Sequence, residues 1–188
     1  MKTKTILRIT LLPLIPLSIP LTAMLFNVEG WAWGPGDFVA GWIIMAGACF
    51  AYALITGKNV RTAYRFATGL GLFTGFMLVW VNGAVGLIGS EENPANLLYG
   101  GVILVGLVGA IVARFQAGGM SRALFATALA QLLVPLVALT FPKHDFAPGF
   151  WQVLVLNACF AALFAGSGFL FQHAARQSNN RLGETTMA

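Results

Sequence analysis

Six apolar runs limit this chain to very few kinds of fold. They cover residues 5–26, 38–56, 66–89, 97–112, 123–140 and 150–171. Each is about long enough to cross a hydrocarbon core of roughly 30 Å. None alternates polar with apolar residues as a lipid-facing barrel strand does, and lipid cannot satisfy an open backbone, so the expected element is a helix. Only 9% of the residues are charged and 58% are hydrophobic. A soluble domain has about a quarter charged residues with which to cover its surface. The expected fold is an all-α integral membrane bundle of six transmembrane helices, forming a single domain over residues 1–188 with a polar, frayed tail at 172–188.

The charges predict how the chain is threaded. With the N-terminus in the cytoplasm, Lys2, Lys4, Arg8, Lys58, Arg61, Arg65, Arg114, Arg122, Arg176 and Arg181 all fall inside, and Lys143 alone falls outside. The basic residues are what the positive-inside rule reads, and they place both termini in the cytoplasm. The net charge of +5 is thereby accounted for by topology. No basic patch marks a nucleic-acid partner. Trp31, Trp33, Trp42, Tyr99 and Trp151 are expected in an outer aromatic belt, with Tyr52 and Tyr64 in an inner one. The first run also has the basic start and apolar middle of a signal peptide, against which stand its length and the lack of an Ala-x-Ala site. Pro13, Pro16 and Pro20 predict an irregular helix there.

Within the spans, Asn82, Gln131 and Asn157 are the residues that would cost most if turned to lipid unpaired. At 1.5 Å per residue they lie roughly 10 to 14 Å inside their helix ends. They form a candidate polar cavity, or else hydrogen-bond between helices. Ala67, Gly71, Gly75 and Gly83 recur at multiples of four and read as a ribbon for close helix packing. That ribbon makes the third helix the expected centre of packing, in a tight hairpin with the fourth. Gln131 extends the row Ala123–Thr127, and Asn157 the row Ala161–Ala165. RFATGL at 65–70 and LFATAL at 124–129 share letters that apolar sequence produces by chance.

No Asp, Glu, Lys, Arg or His falls in the middle of a run, where proton relays and voltage sensors place them. His144 lies in an outer loop and His173 at the inner end of the last run, so neither suits a b-type haem. Cys49 and Cys159 stand singly in helices, as packing residues. No catalytic residue and no cofactor is expected. On the outer side Glu29, Asp37, Glu91, Glu92, His144 and Asp145 collect. Glu91, Glu92 and His144 are the weak candidates there for a metal. Asp37 has a plainer use, as N-cap of the helix starting at Phe38.

Between the third and fourth runs stands VNGAVGLIGSEENPANLLYGG, residues 81–101. Its Asn93-Pro94-Ala95 matches the water-channel tripeptide, but as one copy, without a following arginine or extra half-helices. Asn93 as N-cap, Pro94 at the first helical position and Asn96 in the first turn make it a helix start. The segments NVEGWAWGPGDF, VNGAVGLIGSEENPAN and ARFQAGGMSRALFATALAQ resemble parts of small, uncharacterised bacterial multipass inner-membrane proteins. The resemblance implies a bacterial inner-membrane location and no activity.

Three functions fit these features. The first is a non-enzymatic accessory or assembly subunit, associating through glycine-rich helices as a homo-oligomer or in a larger membrane complex. The second is a channel or facilitator for a small neutral solute, lined by Asn82, Gln131 and Asn157. The third is a membrane enzyme or metal-binding protein working at the outer face.

Overall fold

The computed structural model describes residues 3–29, 32–57, 61–141, 146–147 and 149–187, with side chains from 5 to 178. Trp31, Lys58, Lys143, His144 and Asp145 lie outside the described residues. The described chain is all-helical, without strands, and six of its helices are long and apolar enough to cross a membrane. It divides into two compact units, Met1–Gly57 and Lys58–Ala188.

In the N-terminal unit the first span is broken into α1 (Thr3–Leu11) and α2 (Leu14–Leu25), followed by α3 (Pro35–Thr56). The break falls at Pro13, which has no N–H to continue the ladder. Beside it the Thr10 carbonyl accepts from the indole Nε1 of Trp42 at 3.2 Å. Pro13, Leu17 and Pro20 are buried, a stripe at helical spacing, while Ile15, Ile19, Leu21 and Leu25 stay at least half exposed. The Ser18 and Thr22 hydroxyls donate to carbonyls of their own helix. α3 begins three residues earlier than expected, with Pro35 at its first position and Gly34 as N-cap. Asp37 caps it from the third position, its Oδ2 accepting from Gly34 N–H at 2.8 Å. Asp37 is therefore not the N-cap expected of it; Gly34 is, and the carboxylate reaches back to it from inside the first turn.

The C-terminal unit comprises α4 (Thr62–Val85), a 3-10 turn (Pro94–Leu97), α5 (Leu98–Val112), α6 (Ala117–Ala138) and α7 (Phe150–Met187). The last helix continues through Met187, past the boundary expected at 171 and across the stretch read as a frayed tail. Packing is closest from α4 to α7, from α7 to α6 and from α6 to α5. α4 and α5 touch only slightly, so the tight hairpin expected of them does not form. α6, with ten buried residues, takes the central place expected of α4.

The buried positions explain this arrangement. In α7 they include Val153, Asn157, Phe160, Phe164, Ser167, Phe171 and Ala174. In α6 they include Met120, Leu124, Thr127, Gln131, Val134 and Ala138. Both rows step alternately by three and four, the repeat that keeps one seam facing a neighbour along the whole helix. α4 carries the same step at Tyr64, Ala67, Thr74 and Leu78, with Gly71 between. A strict step of four instead rotates by about 40° each time, carrying Gly83 about 160° from Ala67. Gly83 accordingly faces open space. Ala67 is fully buried, and a Cβ at Gly71 would stand 2.9 Å from Ser167 Oγ, whereas one at Gly75 would make ordinary contact with Ile103. The expected ribbon is real over its first half and leaves the interface over its second.

α5 and α6 are joined by a strained turn in which Arg114 (φ 48°) and Phe115 (φ 58°) are both left-handed. Each such residue costs roughly 1–2 kcal/mol. Tyr64, 2% exposed, donates its hydroxyl to the Phe115 carbonyl and sets its ring edge-on to Phe171. The turn is held from α4, and Tyr64 is a core residue rather than part of an interfacial belt.

Candidate functional site

Two polar clusters occupy the C-terminal unit. In the first, Gln131 on α6, Asn157 on α7 and Tyr99 on α5 are all 2% exposed or less. Gln131 Nε2 donates to Asn157 Oδ1 at 2.9 Å. Asn157 Nδ2 donates to the Tyr99 hydroxyl at 3.0 Å and to the Val153 carbonyl at 2.8 Å. One carboxamide therefore ties three helices together. Of the three amides that the sequence grouped, Asn82, Gln131 and Asn157, the last two meet here. Tyr99, expected in the outer aromatic belt, completes the cluster. Val102, three residues on, is buried on the same face.

Asn82 does not join them. Its Nδ2 donates to the backbone carbonyl of Asn96 at 3.3 Å, which places it at the head of the loop after α4. That loop is the second cluster, and Asn96 is its centre. Asn96 Oδ1 accepts from the N–H groups of Leu87 (3.1 Å) and Ile88 (2.9 Å). Asn96 Nδ2 donates to the carbonyls of Ile88 (3.3 Å) and Ser90 (2.6 Å). A buried loop must find partners for its backbone groups, and here a single amide supplies four. The apolar side chains of Leu87 and Ile88 can then be buried at 4% and 0% exposure. Gly86 starts the loop at φ 68°, where a Cβ would stand 2.4 Å from the Ser90 carbonyl carbon. Asn93 is the N-cap, its Oδ1 accepting from Ala95 N–H at 3.0 Å, and Pro94 opens the 3-10 turn. The Asn-Pro-Ala tripeptide thus does the work of a helix start, as its residue types suggested. The role of Asn96 was not visible, because a first-turn asparagine reads as ordinary until its loop folds back over it.

Among the described residues two buried acceptors have no hydrogen-bond partner: Gln131 Oε1 and Asn82 Oδ1. Chemically the first cluster is made of amides and a phenol, which exchange no protons readily near neutrality. A third polar contact repeats the theme, with Ser167 Oγ on α7 donating to the Ala67 carbonyl on α4 at 2.7 Å. Sequence reasoning passed over Ser167, although it lies on the same row as Asn157.

The acids have a different setting. Glu91 and Glu92 are exposed on the loop, and His144, the third weak metal candidate, lies outside the described residues. Among the described residues no group of three or more His, Cys, Asp or Glu is placed to hold a metal. No family model matches the chain, and neither the curated proteins nor the solved structures contain a match.

Proposed function

We propose that this chain is a non-enzymatic accessory or assembly subunit of a bacterial inner membrane, threaded with both termini in the cytoplasm. The observation that carries the proposal is how the intramembrane amides are used. Gln131 and Asn157 bond to each other and to Tyr99, the usual interhelical role of such groups. Gln131, Asn157 and Ser167 use their polar groups for bonds between helices. The faces left for partners include Gly83, Gly100 and Gly101, where a Cβ would meet nothing within 4 Å. These glycines replace Gly71 as the residues on which association depends, since Gly71 is already closed against Ser167.

Purification in mild detergent provides the test. The wild-type chain should co-migrate with a larger assembly, and Gly100→Leu or Gly101→Leu should release it without lowering its melting temperature. A monodisperse monomer in native membrane extracts would overturn the proposal. Threading is tested with Glu92→Cys in a background of Cys49→Ala and Cys159→Ala. An impermeant thiol reagent should label it in intact spheroplasts, whereas labelling only after lysis would reverse the orientation.

A second reading, a facilitator for a small neutral solute, is favoured by the two unpartnered acceptors, Gln131 Oε1 and Asn82 Oδ1. Solute flux into proteoliposomes should then fall with Gln131→Leu, and unchanged flux removes this reading.

A further inference from the structure

At the end of the α5–α6 pair the two helices touch through glycine. A Cβ at Gly109 would stand 2.7 Å from Ala123 Cβ, and one at Gly119 would stand 2.7 Å from Ala113 Cβ. Beside this line of contact lies a groove of about 490 Å³, walled by those residues and Val112, with Gln116 and Arg122 as its polar members. The walls come from the last turns of one membrane-spanning helix and the first turns of the next, which puts the groove at the level where hydrocarbon gives way to headgroups.

Arg122 is the unusual feature. It stands five residues inside α6, about 7.5 Å along the axis from Ala117. A guanidinium at that depth is expensive unless it is paired or reaches the interface. Its side chain is exposed and has no hydrogen-bond or ion-pair partner among the described residues. The acids of this unit whose side chains are described, Glu91 and Glu92, lie in the loop at the opposite end of α5. Among the described residues a guanidinium without an acidic partner thus stands over an apolar groove.

We infer that this groove binds one anionic phospholipid, its phosphate on the Arg122 guanidinium with Gln116 beside it, and its glycerol and upper acyl carbons against Val112 and Ala113. Charge complementarity selects this occupant. A planar guanidinium matches phosphate oxygens two at a time, and the apolar wall below it matches what a phospholipid carries below its phosphate. A zwitterionic lipid offers the same shape but brings its own cation to the site.

The experiment is lipid titration of the full chain in mild detergent, read by native mass spectrometry, with phosphatidylglycerol and phosphatidylcholine as probes. One phosphatidylglycerol should be retained per chain, with an affinity about five-fold or more above phosphatidylcholine, as expected for one basic residue at a lipid surface. Arg122→Ala should abolish the preference. Arg65→Ala, another exposed cation, should leave it within about two-fold, since that side chain lines no part of the groove. Val112→Trp keeps every charge and fills the groove at a side chain 76% exposed, so it should displace the lipid without unfolding the protein. Equal retention of both lipids, or equal losses from Arg122→Ala and Arg65→Ala, overturns the inference. Full displacement by inorganic phosphate would show a phosphate site with no lipid component, and dissociation of a dimer by Val112→Trp would show a second copy in the groove. Either outcome overturns it too.

Discussion

α3 in the N-terminal unit and α6 in the C-terminal unit are each 22 residues long, and α3 is the more apolar, with mean hydropathy 2.1 against 1.6. Yet 6% of the α3 window is buried against 50% of the α6 window. Apolarity and burial run in opposite directions because lipid is as good a solvent for leucine as another helix is. Helices in a bilayer associate through close packing and hydrogen bonds. α6 has both: Gly109 lies against Ala123, and Gln131 joins the amide cluster. α3 has small residues too, but a Cβ at its Gly47 would meet nothing within 4 Å, and the indole bond of Trp42 to Thr10 is its one described side-chain tie to α1. Small residues permit approach; a polar group crossing the interface makes use of it.

The largest expected contrast comes from overfilling. Gly71→Leu would drive a side chain into Ser167 and Leu124 and should cost about 3 kcal/mol, seen as loss of folded protein from the membrane. Gly47→Leu should leave the melting temperature unchanged. Equal damage from the two would break the comparison between the units.

Next in size is the amide cluster. Asn157→Leu removes three hydrogen bonds and should cost about 2 kcal/mol in thermal or denaturant unfolding. Gln131→Leu removes one bond together with an acceptor that has no partner, so it should cost less than about 1 kcal/mol. A double-mutant cycle between Asn157→Leu and Tyr99→Phe should give a coupling of about 0.6 kcal/mol, the typical value for such a bond in a membrane protein. A larger cost for Gln131→Leu than for Asn157→Leu would mean that Oε1 is occupied by a group not seen here, such as a bound water or solute.

Smaller again is a difference in local stability. Amide hydrogen exchange in detergent should be faster in α1, α2 and α3 than in α6 and α7, because opening free energy follows local contact density. Uniform protection across both units would show that the N-terminal helices gain their order elsewhere. The smallest effect is expected from Trp42→Phe. Losing the bond to Thr10 should cost about 0.5 kcal/mol and raise exchange at the α1–α2 break alone.

Much of the architecture was legible from residues taken a few at a time. Length and apolarity located six spans, three prolines marked the first as irregular, and Asn93 with Pro94 located a helix start. Gln131 and Asn157 could be turned inward in advance because each extended a row of small residues, but Asn82, grouped with them, bonds to Asn96 instead. The misplaced residues share one cause. Tyr64 and Tyr99 were assigned to the surface belts because they stand near helix ends, and in both cases a neighbouring helix covers them. Gly83 was assigned to an interface by a step of four that drifts off it. The expected pairing of α4 with α5 assumed that neighbours in sequence pack together, whereas α4 lies on α7.

The sequence by itself determined that the chain forms apolar helices long enough to cross a membrane, and roughly where they lie, because these outcomes depend on local backbone chemistry and on the contrast between lipid and water. Only the tertiary structure decided which faces meet. It brought Tyr99 to Asn157, folded the loop over Asn96 and left Arg122 above an open groove. Those choices depend on the rotation of each helix about its axis and on side-chain fit across an interface. Apolarity does not discriminate among them, since every apolar face is equally at home in lipid.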